Sequence, residues 1–514
     1  MHNGCITSLG IYFDANYMQD EMEILTMFER VAMILRYIYW LSGIVVCIGL
    51  LFFGIYQIYF YYQEKPEVNV ALPSISLVPD QTRMLVIAPH CDDEVLGCAG
   101  TIQEVIGAGG QVMVVTMTNG DGFTFAVEEQ VHQIFLTRDD YIQSGYARQN
   151  ELLRALHRLG MDEKQIAFLG YPDRGLRALW TDYWDKGQPY QSRYTGKDHS
   201  PYSNSYQPNT PYAGEAVMDD LEAIIREFKP NVIFSPHPAD EHPDHAATWS
   251  FISAVVTKVA NNGILPKPKL YTYLVHRGDF PIPHGYSPEA ALLPPKPLYY
   301  YSYSRQWQVY TLTSEQESIK ENALNEYVSQ LRVPIMSSLL RSFIRRNELF
   351  EEVDIPAAVS QTSDLELAEI NTWENQQPIL VYPKSVSVLG ALARQARVEA
   401  LACAVQDTSL WFRFYIPGFS EHHNQYQVLV ISFQLNKGTL TRAKRTFSFS
   451  TSSTDVVQEN IKRLNEDVII KIPFADQELP DYFLIQILTK DRWGVTIDHT
   501  AWQQIQIKHS QMPN

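Results

Sequence analysis

Two short stretches of the sequence concentrate histidines and acids more than an ordinary solvated loop requires. The first, APHCDDE (88–94), places His90 just before three consecutive acids, and the second, HPADEHPDH (237–245), holds three histidines and three acids in nine residues. Adjacent like charges repel, and burying them unpaired is costly. A bound cation would offset their charge. His90, Asp93 and His245 make a set of two histidines and one carboxylate, which suits zinc or iron(II).

Each stretch follows a run that is typical of a buried strand, RMLVIA (83–88) before the first and NVIFSP (231–236) before the second. Further strands are predicted over 111–118 and 165–170, and helices over 94–107, 147–160, 215–228 and 245–260. This alternation predicts an α/β fold with a mostly parallel, Rossmann-like sheet flanked by helices, over residues 82–355. Ligands of such folds bind at the carboxyl ends of strands, where both stretches lie.

The chain has 514 residues, enough for two or three domains. In its last third, short aromatic and β-branched runs are separated by turn residues. This pattern predicts a β-sandwich-like domain over residues 370–510. A plain accessory role is the simpler interpretation of this domain, and carbohydrate binding is the alternative.

Residues 37–62 contain no charged residue and no histidine, and aromatic residues gather at both ends. A bilayer-spanning helix needs about 20 such residues, so one transmembrane helix is predicted. A buried soluble helix and a cleaved signal peptide are the alternatives, and the length argues against both. Residues 1–36 are a short N-terminal segment that could be an overrun of the start site, and the proline-containing residues 63–81 read as a linker.

The orientation of this single-pass protein follows from the flanking charges. Arg30 and Arg36 precede the span, whereas Lys65 is the first basic residue after it. The positive-inside rule therefore predicts a cytoplasmic N-terminus and an extracytoplasmic catalytic domain.

The overall charge argues against nucleic acid as a partner. The formal net charge is -17, from 58 acids against 41 lysines and arginines, and no basic stripe is present. The five cysteines form no CxxC pair, so neither a disulfide framework nor a cysteine-rich zinc site is predicted. The sequence does not indicate an oligomeric state.

The two stretches resemble the signatures of a known family. APHCDDE is similar to the HPDDE signature of the LmbE-like, or PIG-L, family, and HPDH is similar to its second signature; TNGD (118–121), FLGYPDRGL (168–176) and KENALNEYVSQ (320–330) also fit. The family includes deacetylases of N-acetylglucosaminyl-phosphatidylinositol and of the mycothiol and bacillithiol precursors. One departure is Cys91, where the family usually has proline; packing is the simpler interpretation and a cysteine nucleophile the rival.

The resemblance implies a role for each residue of the two stretches. The implied metal ligands are His90, Asp93 and His245, with Zn²⁺ as the metal and Fe²⁺ as the alternative. Asp92 is implied as the general base for the attacking water, and His242 as the group that stabilises the tetrahedral oxyanion. Asp244 is expected to orient His242. Glu94 either supports the site or caps the following helix.

Six further residues are candidates for substrate contact. They are Arg148, Asp121, Asp173, Trp180, Trp184 and His276. Arg148 matches an arginine that the family carries near its substrate, and the alternative is a helix-surface pair with Glu151. The two aspartates could instead form turns. The tryptophans begin a long aromatic segment that could either wall a sugar pocket or pack on itself.

The sequence therefore predicts a membrane-anchored, zinc-dependent amidohydrolase that removes the acetyl group of an N-acetylated amino sugar. Its expected partner is an N-acetylglucosamine-type glycolipid or polysaccharide. An iron(II) oxygenase with the same ligand set would require a jelly-roll sheet, which the strand and helix alternation disfavours. A non-catalytic glycan-binding protein that keeps the fold is the other alternative, and the presence of both Asp92 and His242 speaks against it.

Overall fold

The computed structural model describes residues 34–52, 54, 71–278, 280–301, 307–359, 379–381, 397–406, 408–418, 424–436, 439–450, 460–464, 466–474 and 479–508. The chain divides into two compact units, Met1–Glu67 and Val68–Asn514. The predictions for residues 1–33, for the end of the span (55–62) and for the first part of the linker (63–70) lie outside the described residues.

The first unit contributes helix α1 (Ile34–Phe52). Its 19 residues include an 18-residue window with a mean hydropathy of 1.9, and none of that window is buried. By length and composition this helix could cross a bilayer, although a signal sequence has the same properties. It begins three residues before the predicted span.

A seven-stranded sheet forms the centre of the second unit. Its strands are β1 (Arg83–Ala88), β2 (Gln111–Thr118), β3 (Ile166–Tyr171), β4 (Val232–Pro236), β5 (Lys269–Tyr273), β6 (Trp307–Thr311) and β7 (Asn347–Glu352). The order is β3-β2-β1-β4-β5-β7-β6, parallel from β3 to β5 and antiparallel at β7 and β6. The prediction of a mostly parallel sheet is confirmed, and β1 and β2 have the predicted bounds.

Helices cover both faces of this sheet. They are α2 (Asp93–Gly107), α3 (Thr124–Val131), α4 (Arg138–Arg158), α5 (Leu176–Thr181), α6 (Gly214–Phe228), α7 (Pro243–Asn261), α8 (Lys296–Tyr301), α9 (Ser314–Leu324), α10 (Val328–Leu331) and α11 (Pro334–Arg341), with 3-10 turns at Pro79–Gln81 and Glu163–Gln165. Alternate side chains of β1 enter opposite cores: Leu85 packs with α6 and α7, whereas Val86 packs with α2 and α4. Burial on both faces explains the continuous apolar strand runs.

Helix α4 begins at Arg138, nine residues before the predicted start. The cause is a capping box, in which Asp140 N–H donates to Thr137 Oγ1 at 3.3 Å and Thr137 N–H donates to Asp140 Oδ2 at 2.7 Å. These bonds satisfy two backbone donors that would otherwise lack partners at the helix start.

A fully buried ion pair between a residue of α9 and a residue of β7 holds α2 against the sheet. Lys320 Nζ lies 3.0 Å from Glu348 Oε1 and donates to the carbonyl oxygen of Leu96 at 2.9 Å. The same carboxylate accepts hydrogen bonds from the N–H groups of Gly100 and Thr101 at 2.7 and 3.0 Å. Every partner that the two charges need is therefore supplied inside the protein.

Two further sheets form the C-terminal region. Their strands are β8 (Ala357–Val359), β9 (Ile379–Val381), β10 (Ala400–Gln406), β11 (Ser409–Tyr415), β12 (Gln425–Asn436), β13 (Thr439–Ser450), β14 (Ile461–Leu464), β15 (Asp467–Pro473), β16 (Tyr482–Lys490), β17 (Thr496–His499) and β18 (Gln503–Lys508). One sheet has the order β14-β15-β11-β10-β9 and the other β13-β12-β16-β18-β8, with β17 beside β16. The ring centroids of Phe412 in the first sheet and Phe483 in the second lie 5.4 Å apart in a shared core, as expected for a sandwich.

Strands β12 and β16 are buried on both faces. Val428 and Phe483 point into the sandwich, whereas Phe433 and Leu484 belong to the core that contains α7. The sandwich therefore shares a continuous apolar core with the α/β region.

Candidate metal centre and catalytic cavity

The two predicted stretches meet at the point where the strand order reverses. β1 is flanked by β2 on one side and by β4 on the other, and all three strands are parallel. His90 follows β1 and precedes α2, and His242 and His245 follow β4 at the start of α7. Such a switch point opens a crevice at the carboxyl ends of the strands.

Three donor atoms form a nearly equilateral triangle in this crevice. His90 Nδ1 lies 3.3 Å from Asp93 Oδ2 and 3.3 Å from His245 Nε2, and the last two atoms are 3.2 Å apart. A tetrahedral ion with bonds of about 2.0–2.1 Å separates its ligand atoms by about 3.3–3.4 Å. The three side chains therefore fit a metal ion of this size without rearrangement.

Each histidine of this triangle has a carboxylate behind it. His90 Nε2 lies 3.3 Å from Asp173 Oδ1, and His245 Nδ1 lies 3.1 Å from Asp240 Oδ2. Carboxylates in this position fix the ring orientation and the tautomer of a metal-binding histidine. Asp173, predicted as a substrate contact, thus supports His90, although it also lines the cavity.

Sequence reasoning missed Asp240. Its carboxylate accepts hydrogen bonds from the N–H groups of His242, Val275 and His276 at 2.9, 3.0 and 3.0 Å. Burial acts to raise the pKa of Asp240, but the positive charge of His245, the contact with its ring and the His242 N–H outweigh burial and hold that pKa below its usual range. The only available signal was the position of Asp240 inside the second stretch.

The carboxylates make the crevice favourable for positive charge. Burial acts to lower the pKa of His245, but Asp240 and Asp93 outweigh it and raise that pKa to about 9. The same competition, with Asp173 as the largest opposing group, raises the pKa of His90.

Asp92 faces the cavity beside a buried arginine. Arg148 Nη2 lies 3.0 Å from Asp92 Oδ2 and donates to the carbonyl oxygen of Cys91 at 2.9 Å. Burial raises the pKa of Asp92 to about 7, and the charge of Arg148 opposes the rise. Arg148 and Glu151 are both buried, and Glu151 binds Ser329 at the start of α10. The alternative of a helix-surface pair is therefore wrong.

Backbone geometry holds Asp92 in place. The residue has φ 157° and ψ -27°, outside the regions that side-chain-bearing residues usually populate. Its N–H donates to Glu94 Oε2 at 3.2 Å, so Glu94 supports this turn. Gly120 has φ +66°, and a Cβ there would overlap the Arg148 guanidinium. Only glycine therefore fits the TNGD turn beside the arginine.

His242 is positioned differently from the prediction. Its Nδ1 accepts a hydrogen bond from the backbone N–H of Asp244 at 3.2 Å, whereas the Asp244 carboxylate accepts from the N–H groups of Arg174 and Leu176 at 2.6 and 3.1 Å. The carboxylate of Asp244 also lies 3.6 Å from His90 Nε2. The main chain of Asp244 thus orients His242. Its side chain instead holds the neighbouring loop.

The fourth histidine of the crevice is His276. Its ring lies 4.6 Å from that of His245 and 5.1 Å from that of His242, measured between centroids. One of its nitrogens lies within 4.8 Å of the donor atoms of His90, Asp93 and His245. His276, predicted as a substrate contact, could thus contribute to the metal centre as well as to the cavity wall. By contrast, His237 binds Glu351 and stacks on Trp307, away from the donor group.

These groups open into a cavity of about 210 Å³. Its polar wall is formed by His90, Asp92, Arg148, Asp173, Arg174, His242, His276 and Gln330, and its apolar wall by Leu96, Phe123, Met336 and Leu340. This volume is below the range of roughly 300–1,000 Å³ that is typical of pockets for drug-sized ligands. The cavity suits one small polar group.

The prediction that Trp180 and Trp184 wall this cavity is wrong. Trp180 is fully buried, with ring centroids 5.0 Å from Phe251 and 5.8 Å from Phe433. Trp184 lies 5.9 Å from Phe433 and beneath the guanidinium of Arg442. Both tryptophans join the α/β region to the sandwich, because the aromatic segment packs on itself and on β12.

Asp121 and Cys91 also lie behind the cavity surface. Asp121 is buried and accepts a hydrogen bond from Tyr202 at 2.6 Å, so it does not line the cavity. Cys91 belongs to the apolar core, and burial raises the pKa of its thiol well above the usual value. A neutral, enclosed thiol is a poor nucleophile, which favours the packing interpretation.

A mostly parallel α/β sheet with two histidine-rich turns at its switch point defines an α/β protein with a candidate metal site. Residues 85–256 match the family model of PIG-L, described as GlcNAc-PI de-N-acetylase. This part of the chain, which carries both signatures, matches a PIG-L family domain, and the resemblance expected from the sequence is confirmed.

Several curated proteins are similar to this chain. The 1D-myo-inositol 2-acetamido-2-deoxy-alpha-D-glucopyranoside deacetylase of Mycobacterium sp. (strain KMS) is 32% identical over 196 residues, which cover 37% of this chain and 54% of that protein. The protein of the same name from Mycolicibacterium vanbaalenii is 29% identical over 236 residues, covering 41% and 73%. The chain thus spans about half the length of the first curated relatives that it matches.

Among solved structures, N,N'-diacetylchitobiose deacetylase from Pyrococcus horikoshii is similar over 59% of this chain and 92% of its own. The TM-score is 0.33 and the identity 18%. A likeness this weak says nothing about activity.

Proposed function

We propose that this protein is a membrane-anchored, zinc-dependent deacetylase that hydrolyses the acetamide of an N-acetylated amino sugar, such as N-acetylglucosamine in a glycolipid or polysaccharide. The observation that carries the proposal is the triangle of His90, Asp93 and His245 directly beside Asp92. A metal position and a general base thus share one small cavity at the switch point of the sheet. The curated relatives, which are named as deacetylases of a 2-acetamido sugar, support the same reaction.

The donor set fits zinc by both chemistry and distance. Two imidazoles and one carboxylate leave at least one coordination position for water or substrate, as in catalytic zinc sites. When bound there, the ion would polarise the acetamide carbonyl and lower the pKa of water. Iron(II) accepts the same donors and is the alternative metal.

Asp92 is the group that moves the proton. It accepts the proton of the attacking water as the C–O bond forms, and it returns that proton to the amine as the C–N bond breaks. Arg148, 3.0 Å away, holds the carboxylate in place and stabilises its charged form. The second proton of the water, left on the new carboxyl group, also passes to the amine, so acetate and the protonated amino sugar are the products and atoms and charge balance.

His242 is suited to stabilise the oxyanion. Because its Nδ1 accepts a hydrogen bond from the Asp244 N–H, the proton of the neutral ring lies on Nε2. Burial and the positive charge of His90 lower the pKa of His242 to about 4, so the neutral form prevails at pH 7. Its Nε2–H group can therefore donate to the oxygen that becomes negative during attack.

The competing functions have weaker support. An iron(II) oxygenase would be expected on a jelly-roll sheet, whereas the donor triangle here lies on a mostly parallel α/β sheet. A non-catalytic glycan-binding protein needs neither the buried Asp92–Arg148 pair nor an imidazole with a free Nε2–H group. Extracytoplasmic placement of the cavity is part of the proposal and rests on the charges beside α1.

The test is acetate release by the full chain in detergent, from N-acetylglucosaminyl lipid and from N-acetylated oligosaccharides. We expect release that stops when a chelator removes the metal and that returns on addition of zinc. Iron(II) is added in a parallel arm to identify the native metal. Asp92→Asn should abolish release while metal content stays unchanged, and Asp139→Asn, at an exposed position on α4, is the matched control.

Two results would contradict the proposal. Acetate release that survives complete removal of the metal would exclude metal-dependent hydrolysis. A folded, zinc-loaded protein that binds N-acetylated glycan without releasing acetate would favour the non-catalytic alternative.

A further inference from the structure

Exposed apolar side chains gather at the mouth of the catalytic cavity. Phe123 and Met336 line the cavity. Phe125, whose ring centroid lies 6.2 Å from that of Phe123, is 67% exposed, and Ile335, the neighbour of Met336, is 71% exposed. The apolar wall of the cavity therefore continues outward onto the surface.

Two further exposed apolar side chains lie in the loop that follows α3. Ile134 and Phe135, between α3 and α4, are 81% and 91% exposed. Val328, at the start of α10, is 40% exposed, and α10 contacts α3. We call Phe125, Ile134, Phe135, Val328 and Ile335 the apolar rim. Exposed apolar clusters of this kind mark sites that another molecule or a membrane covers.

The chain itself indicates what covers the rim. Helix α1 has the length and composition to span a bilayer. Only residues 53–72 separate it from Pro73, where the α/β domain begins with a hydrogen bond from Val309 N–H to the Pro73 oxygen. An extended tether of this length reaches roughly 70 Å. The number of residues sets only an upper limit on the distance to a bilayer and does not select which face meets it.

The shape of the rim favours lipid over a second copy of the chain. Side chains that are more than four-fifths exposed, such as Ile134 and Phe135, protrude with few neighbours. Protein interfaces are instead closely packed and shape-complementary. Protruding isoleucine and phenylalanine side chains suit insertion into the boundary between headgroups and acyl chains.

We propose that the apolar rim docks on the bilayer that holds α1, so that the catalytic cavity opens at the lipid surface. This inference rests on the proposed function, of which a glycolipid substrate is already a part, and adds the surface through which the chain meets the bilayer. The acetamide of the sugar headgroup enters the cavity while the lipid part stays in the bilayer beside Phe125 and Ile335.

The docking is tested with the full chain reconstituted in phosphatidylcholine vesicles. An environment-sensitive dye is attached at Phe135→Cys in a background that carries Cys5→Ser and Cys47→Ser, since the other cysteines are buried. The control is Trp493→Cys, at a position that is 73% exposed on the sandwich. We expect a blue shift and quenching by acyl-chain-labelled lipid at position 135 only. A dye at 135 that stays water-like, or that shifts without lipid quenching, would overturn the docking.

A second measurement separates docking from catalysis. The variant Ile134→Ser/Phe135→Ser and the parent are compared on an N-acetylglucosaminyl lipid in vesicles and on a water-soluble N-acetylglucosaminide. We expect the variant to lose about tenfold or more on the vesicle substrate and nothing on the soluble one. Equal rates for both proteins on both substrates would contradict the inference. A parent that hydrolyses neither substrate would contradict the proposed function, and the dye would still decide the docking.

Discussion

Replacing Asp240 by asparagine tests whether a residue behind the histidines controls the metal centre. The Asp240 carboxylate accepts hydrogen bonds from three backbone N–H groups and lies 3.1 Å from His245 Nδ1. Asparagine offers one acceptor oxygen and one NH₂ group, so at least one of these donors would face another donor. An unpaired buried donor costs about 1–3 kcal/mol, which is the expected loss in the free energy of unfolding.

The same change should weaken metal binding. Loss of the carboxylate behind a metal-binding histidine typically lowers metal affinity by about 10–100-fold, or about 1.4–2.7 kcal/mol. The assay is zinc affinity of the full chain by competition with a chelator, together with denaturant unfolding of the metal-free and zinc-loaded forms. Zinc should stabilise the variant less than it stabilises the parent.

Asp220→Asn is the matched control, because Asp220 is a buried carboxylate that accepts a hydrogen bond from Tyr171 at 2.7 Å and is not among the residues of the crevice that could hold a metal. It should leave zinc affinity unchanged. If Asp240→Asn bound zinc within twofold of the parent, the reasoning would be refuted, since Asp240 would then support only the turn. An equal loss in both variants would also refute it, because it would indicate general loosening of the fold.

Three further predictions follow from buried contacts. Arg148→Met should lower kcat by about 100-fold or more without changing zinc content, because Asp92 loses its charged partner. Steady-state kinetics together with metal analysis check this prediction. Glu348→Gln should lower the free energy of unfolding by about 3–5 kcal/mol, since Lys320 keeps a buried charge without its counter-ion. Denaturant unfolding checks this by comparison with the double variant Lys320→Met/Glu348→Gln, whose free energy of unfolding should fall less. Trp180→Ala should cost about 3–5 kcal/mol in the same assay while KM stays unchanged, and a raised KM with normal stability would restore the sugar-contact interpretation.

The sequence predicted the parts of the site that local pattern encodes. β1 is formed by a short apolar run and ends two residues before His90. The strand, the turn and the donor therefore follow one another closely in the sequence. The second stretch does the same after β4. Since parallel strands end at one edge of a sheet, the meeting of the two stretches follows from the strand pattern alone.

Other contacts depend on tertiary packing that one sequence does not encode locally. His276 follows a probable strand and was predicted as a substrate contact, but only the pairing of β5 with β4 shows that it reaches the donor group. Asp240 was indistinguishable from the other acids of its stretch until its backbone partners were known. Trp180 and Trp184 were misassigned because aromatic residues serve a sugar pocket and a domain interface equally well by composition.

The double burial of β12 and β16 has an evolutionary consequence. α7, which carries His245 at its first turn, packs on these strands through its opposite side, and Tyr482 donates to the carbonyl oxygen of Ala254 at 3.1 Å. A descendant gene that lost the sandwich would leave this side of α7 bare to water, beneath the helix that supplies a donor atom. Losing the sandwich would therefore carry a stability cost at the helix that supplies a donor atom, and this cost would act against inheritance of the α/β region alone.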